Sequence, residues 1–139
     1  MEIADDEVNK ILTALNFGMR GDMPPNVRLA GTKGLLNAIE FAHRNFEQER
    51  DRTAIMETIC ASTQCRDSED VRKTAFECLV TVAEHYYPHL TSYMLKVFEL
   101  TKAAITKDSP EVGMQAIEFW STLAEQEDAL KMEEEEARE

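Results

Sequence analysis

Glycine and proline are scarce in this chain, five and four in 139 residues, and they fall mainly between the amphipathic segments, in Gly21 to Pro25, at Pro88 and at Pro110. That scarcity excludes collagen-like and low-complexity chains and leaves long stretches free to form helices. Alternating apolar and polar residues of any length are missing too, so no strand is expected. No apolar run approaches the roughly 20 residues needed to cross a bilayer. The start, Met1 to Glu7, is acidic where a secretory leader is basic. Neither secretion nor membrane insertion is expected.

Cysteine is sparse and odd in number. Cys60, Cys65 and Cys78 cannot make a disulfide framework, and they fall within helical hairpins where a thiol acts as a small hydrophobe, as in a reduced, intracellular chain. Basic residues are outnumbered, 15 against 27 acids, for a net charge of −12. A nucleic-acid backbone would be repelled by such a surface, so nucleic acid is not an expected partner, whereas basic protein segments fit it. Half of the imbalance lies in Glu125 to Glu139, with eight acids against Lys131 and Arg138.

What remains is 43% hydrophobic and 30% charged, ordinary for a helical protein. Within it a short pattern recurs. Val27, Val71 and Val112 are each followed four residues later by a small residue (Gly31, Ala75, Ala116) and eight later by a large apolar one (Leu35, Leu79, Trp120). The copies are 44 and then 41 residues apart, the length of a two-helix HEAT or armadillo unit. Such a unit cannot bury its apolar face alone and stacks on its neighbours. The expected fold is therefore all-α, a HEAT/armadillo-like α-solenoid of three helical hairpins. Its repeats would span 1–44, 45–87 and 88–130, with an acidic tail over 131–139 that frays or is cut from a longer chain.

Six helices are expected: Asp5–Met19, Asn26–Arg44, Glu47–Ala61, Glu69–Tyr87, Leu90–Thr106 and Pro110–Asp128. Ser68 is placed to cap the fourth, and Pro110 sits in the first turn of the sixth, where proline is tolerated. Pro88 stops the fourth, because the residue before proline is driven out of the helical region. Gly31 and Gly34, three apart in one helix, invite close approach of a neighbour.

No constellation points to catalysis. His85 and His89 are four apart but Pro88 breaks the helix that would align them, and Cys60 and Cys65 match no zinc-ligand spacing. The glycines follow no strand and match no phosphate loop. A binding module without catalytic residues, metal or cofactor is expected. Its surfaces would be shallow apolar slots between the first helices of adjacent repeats, faced by Leu12, Thr13, Ile55, Tyr93 and Leu100. The periodicity alone fits equally a structural scaffold, such as a phosphatase regulatory subunit or a condensin-like arm.

Five collinear strings narrow the choice: Ile11-Leu12-Thr13-Ala14, Val27-Arg28-Leu29-Ala30, Ala61-Ser62-Thr63-Gln64-Cys65, Tyr86-Tyr87 with Ser92-Tyr93-Met94, and Ile117-Glu118-Phe119-Trp120-Ser121. In that order, from about Val8 to Glu127, the chain resembles the importin-β family at roughly its fifth to seventh HEAT repeats. The resemblance implies a nuclear import receptor, working between cytoplasm and nucleus through the nuclear pore. It would bind Phe-Gly nucleoporins and, as part of a full-length protein, Ran GTPase and importin-α or basic cargo. By matching position, Leu12, Thr13, Asp51 and Ile55 would line one nucleoporin slot, and Tyr93 and Leu100 the next. Asn16 stands where the family usually has an aliphatic residue and Ala54 where an aromatic is common. The first slot is thus expected to be the weaker, or to use Phe17 instead, and the slot at Tyr93 is favoured.

Overall fold

The computed structural model describes residues 4–138. It has seven α-helices: α1 (Asp5–Gly18), α2 (Pro25–Ala38), α3 (His43–Glu47), α4 (Glu49–Ser62), α5 (Glu69–Tyr86), α6 (Met94–Lys107) and α7 (Pro110–Arg138). Among the described residues there is no strand. Three antiparallel hairpins, α1/α2, α4/α5 and α6/α7, stack side by side as an α-solenoid. The second helices do the stacking, for α5 packs on α2 at one side and on α7 at the other. The first helices α1, α4 and α6 approach one another far less closely, which leaves slots between them.

Local chemistry accounts for the helix ends. Ser68 Oγ accepts the Val71 amide at 3.1 Å and Ser109 Oγ the Val112 amide at 3.3 Å, so both Asp-Ser turns cap the helices that follow them. Pro25 and Pro110 each occupy a first helical position, where no partner for an N–H is needed. The recurring triplet is buried at most of its positions. Gly31, Leu35, Val71, Ala75, Leu79, Val112 and Ala116 are buried, whereas Trp120 is half-buried and Val27 is exposed.

Gly31 packs against the backbone at the end of α1. A Cβ there would lie 3.0 Å from Met19 Cγ and 3.3 Å from the Gly18 carbonyl carbon. At Gly34 it would meet a methyl of Leu15, the mobile end of a side chain.

Three expectations need correction. The second helix does not reach Arg44: it ends at Ala38, turns through Ile39–Phe41 as a 3-10 helix, and is followed by the separate short α3. The bend lets both Ile39 and Phe46 enter the core, where Phe46 stacks on Tyr86 with ring centroids 4.1 Å apart. The Ile39 carbonyl accepts the Ala42 amide at 3.0 Å and the Tyr86 hydroxyl at 2.5 Å. The fifth helix begins at Met94, after 3-10 turns at Tyr87–His89 and Thr91–Tyr93, because Pro88 cannot donate to a continuing helix. Finally, the sixth expected helix does not end at Asp128: α7 continues, exposed, to Arg138. Glu, Ala, Lys, Met and Arg are strong helix formers, and extending an existing helix carries no nucleation penalty. Glu139 and Met1 to Ile3 lie outside the described residues.

Two arginines of the repeated Val-Arg pair tie hairpin to hairpin. Arg72 on α5 grips Asp108, in the turn before α7, with both prongs of its fork: Nε to Oδ2 at 2.9 Å and Nη2 to Oδ1 at 3.0 Å. A third bond from Nη1 reaches the Cys65 carbonyl at 3.0 Å. Arg28 on α2 makes the equivalent reach to the turn before α5, but meets a thiol, Cys65 Sγ, at 3.1 Å.

Candidate binding slots between the first helices

Helices α1 and α4 diverge enough to leave a cavity of about 280 Å3. Leu12, Met19, Leu35 and Ile55 supply its apolar lining, while Asn9, Thr13, Asn16, Asn45, Asp51 and Thr58 surround it with polar groups. Leu12 is placed by the i, i+4 face it shares with the buried Val8, and Ile55 by the face it shares with Met56 and Ile59. All four residues expected in the first slot, Leu12, Thr13, Asp51 and Ile55, line this one cavity. A cavity of about 150 Å3 lined by aliphatic groups holds benzene, so a phenyl ring fits here with room for adjoining backbone.

The polar rim is hydrogen-bonded across the slot. Asn45 Nδ2 donates to Asn9 Oδ1 at 2.6 Å, joining α3 to α1. Asn16 and Thr58 lie 2.6 Å apart, and Thr58 Oγ1 is also 2.9 Å from the Ala54 carbonyl. A hydroxyl has one proton, so both bonds form together only if the Asn16 amide donates to Thr58 and Thr58 donates to Ala54. An aliphatic side chain at position 16 would lack this bridge. The exposed Ala54 leaves the mouth of the slot open.

Between α4 and α6 the expected second slot is divided. Tyr93 lines a groove of about 300 Å3 with Met56, Glu57, Cys60, Ala61, Gln64 and Lys96. Its hydroxyl pairs with Thr53 Oγ1 at 2.8 Å. Leu100 is 5% exposed and borders a different cavity, about 390 Å3, whose lining includes Thr63, Gln64, Arg66, Arg72 and Lys107. Gln64 is common to both. The residues expected in the first slot thus converge on one cavity, whereas those expected in the second border two. Phe17 lies outside the lining of the first cavity and is 58% exposed, with the Arg20 guanidinium 5.1 Å from its ring centroid.

Asn9, Asn45 and Thr58 escaped the sequence reading. Asn45 in particular sits on α3, which the pattern merged into the second helix. The Cys60 thiol, in the Tyr93 groove, is pushed up to about 11 by burial, only partly offset by Lys96, and burial in the core raises Cys78 as well. Among the described residues no three His, Cys, Asp or Glu side chains converge on a metal-sized site.

Fold and slots together define an α-solenoid segment of HEAT type, with open slots between its first helices. No family model matches the chain. The chain is 40% identical over 126 residues to importin subunit beta-1 of Arabidopsis thaliana, and 37% over 139 residues to that of Schizosaccharomyces pombe. These matches cover 90% and 99% of the chain, but only 14% and 16% of those relatives. Among solved structures, importin β crystallised with ammonium sulfate superposes with a TM-score of 0.85 at 38% identity, over 91% of this chain and 15% of that one. A Kap95:Nup1 complex gives 0.85 at 31% identity, over 92% and 15%. Kap95p bound to RanGDP gives 0.82 at 31%, over 88% and 14%. By sequence and by fold, the chain is a homologue of a segment of importin subunit beta-1.

Proposed function

We propose that this chain is a nucleoporin-binding segment of a nuclear import receptor, with the α1/α4 slot as its primary Phe-Gly site. The observation that carries the proposal is the convergence of Leu12, Thr13, Asp51 and Ile55 on one phenyl-sized cavity. Similarity to a Kap95 seen with Nup1 adds support, as does similarity to a Kap95p seen with RanGDP. Those relatives weigh for a transport receptor over the scaffold alternative. In the parent receptor, Ran-GTP would release cargo delivered with importin-α or through basic segments, between cytoplasm and nucleus.

The energetics suit that role. Burying one phenyl ring contributes about 1.5–3 kcal/mol, and a millimolar Kd corresponds to about 4 kcal/mol. A single shallow slot is therefore weak and quickly vacated, and useful affinity comes from many repeats acting through high local concentration.

The test is a titration of the 15N-labelled chain with a short Phe-Gly peptide. Shifts centred on Thr13, Asp51 and Ile55 are expected. Ile55→Ala should weaken binding, whereas Asn16→Leu, which replaces the bridge to Thr58 with apolar surface, should strengthen it. Shifts confined to residues outside the slot, or equal affinity in all three proteins, would remove the assignment.

A further inference from the structure

The cavity beside Leu100 differs in kind from the slot above it. Its lining carries three cations, Arg66, Arg72 and Lys107, against one anion, Asp108, in a chain whose net charge is −12. Arg72 is already spent on Asp108, in a bidentate pair whose side chains are about one-fifth exposed. Neither Arg66 nor Lys107 has a carboxylate within 4 Å among the described residues. The nearby Glu69 accepts a hydrogen bond from the Ser109 hydroxyl at 2.6 Å and does not line the cavity. Two uncompensated cations thus face about 390 Å3 of space. Beneath them lies an apolar floor of Phe76, Leu100, Ala103 and Ala104.

The cations come from different hairpins. Arg66 sits in the turn between α4 and α5, and Lys107 is the last residue of α6. A ligand that engages both must span the junction of the second and third hairpins, as an extended peptide would. Its charge must be negative to pair with the two free cations, and the acidic remainder of the surface, which repels such a ligand, confines it to this cavity. Its neighbouring side chain must be apolar, to cover Leu100 and the two alanines. Thr63 and Gln64 add polar groups for its backbone.

We infer that the junction of α4, α5 and α6 is a second docking site, which takes an extended acidic peptide: a carboxylate held by Arg66 and Lys107, next to an aliphatic residue seated over Leu100, Ala103 and Ala104. It is independent of the Phe-Gly slot, which lies between α1 and α4 and shares no lining residue with it. The Arg72–Asp108 pair forms its rigid back wall. Because its cations are exposed, attraction to the peptide falls as salt is raised.

The probe is a capped Asp-Leu-Asp peptide flanked by serines, with Asn-Leu-Asn as its neutral isostere, each titrated into the 15N-labelled chain. The acidic peptide should shift the amides of Gln64, Ala103, Ala104 and Lys107. The isostere should bind at least about fivefold more weakly, and the gap should close at high salt. Arg66→Glu with Lys107→Glu, both on exposed side chains, should weaken the acidic peptide by about tenfold or more, as expected when rim charges are reversed. The same double variant should leave a Phe-Gly peptide's shifts at Thr13 and Ile55 unchanged, which separates this site from the slot above. Equal binding of both peptides, an unaffected double variant, or shifts away from the α4–α6 junction would overturn the inference.

Discussion

Replacing Asp108 by asparagine probes the clamp between the second and third hairpins. The change keeps the shape and one acceptor, so the backbone bond from the Ser109 amide at 2.7 Å survives. It removes the charge and half of the fork that Arg72 grips. Fully exposed pairs contribute about 0–1 kcal/mol, and breaking a fully buried one costs about 3–5 kcal/mol. With side chains 21% and 19% exposed, this pair falls between those limits, near 2 kcal/mol. Urea unfolding followed by circular dichroism at neutral pH reads that loss as a lower midpoint at unchanged slope. The pH dependence adds a second check. The hydrogen bonds from Arg72, helped by the Ser109 amide, hold the Asp108 carboxyl below its ordinary value. A depressed carboxylate contributes its full stabilisation above the unfolded value, about 3.9, and loses it as pH falls through the folded one. The unfolding curves of wild type and Asp108→Asn should therefore converge in acid. A difference under about 0.5 kcal/mol at neutral pH, typical of an inconsequential surface change, or a gap that persists in acid, would refute the clamp.

Tyr86→Phe removes the 2.5 Å hydroxyl bond to the Ile39 carbonyl, which keeps the Ala42 amide at 3.0 Å, and should cost about 0.5–1.5 kcal/mol in denaturant unfolding. Burial pushes the Tyr86 hydroxyl up to about 12, so wild type should also lose stability as pH rises from about 10 towards that value, a loss the phenylalanine variant lacks. The two glycines of α2 should respond differently to alanine. Gly31→Ala forces a methyl against the backbone of Gly18 and the Leu15 carbonyl, both 3.3 Å away, and should lower the thermal midpoint. At Gly34 the obstacle is the end of the Leu15 side chain, so Gly34→Ala should cost less or stabilise.

The solenoid was legible because its signal is long and redundant. Val71, Ala75 and Leu79 recur in spacing at Val112, Ala116 and Trp120, and turn residues such as Ser68, Ser109 and Pro110 stand where helices start. The bend after Ala38 was not, because Ile39, Ala42 and Phe46 continue a helical apolar rhythm. The reason to break it is tertiary, a tyrosine hydroxyl on Ile39 and a ring stack for Phe46. The first slot was half legible. Leu12, Thr13, Asp51 and Ile55 came from resemblance, whereas the rim residues Asn45 and Thr58 take their places from a short helix and a bridge that no local pattern encodes. For the second slot, Leu100 lies along one helical face from Tyr93 in the sequence but borders a different cavity, with α6 packed on α7.

Isotope-filtered NMR on the chain saturated with a Phe-Gly peptide asks the central question directly: where does the phenyl ring sit? Contacts from the ring protons to the methyl groups of Leu12 and Ile55 are predicted, since both line the one cavity between α1 and α4. Ring contacts to Tyr93 and Lys96 without any to Leu12 or Ile55 would contradict it.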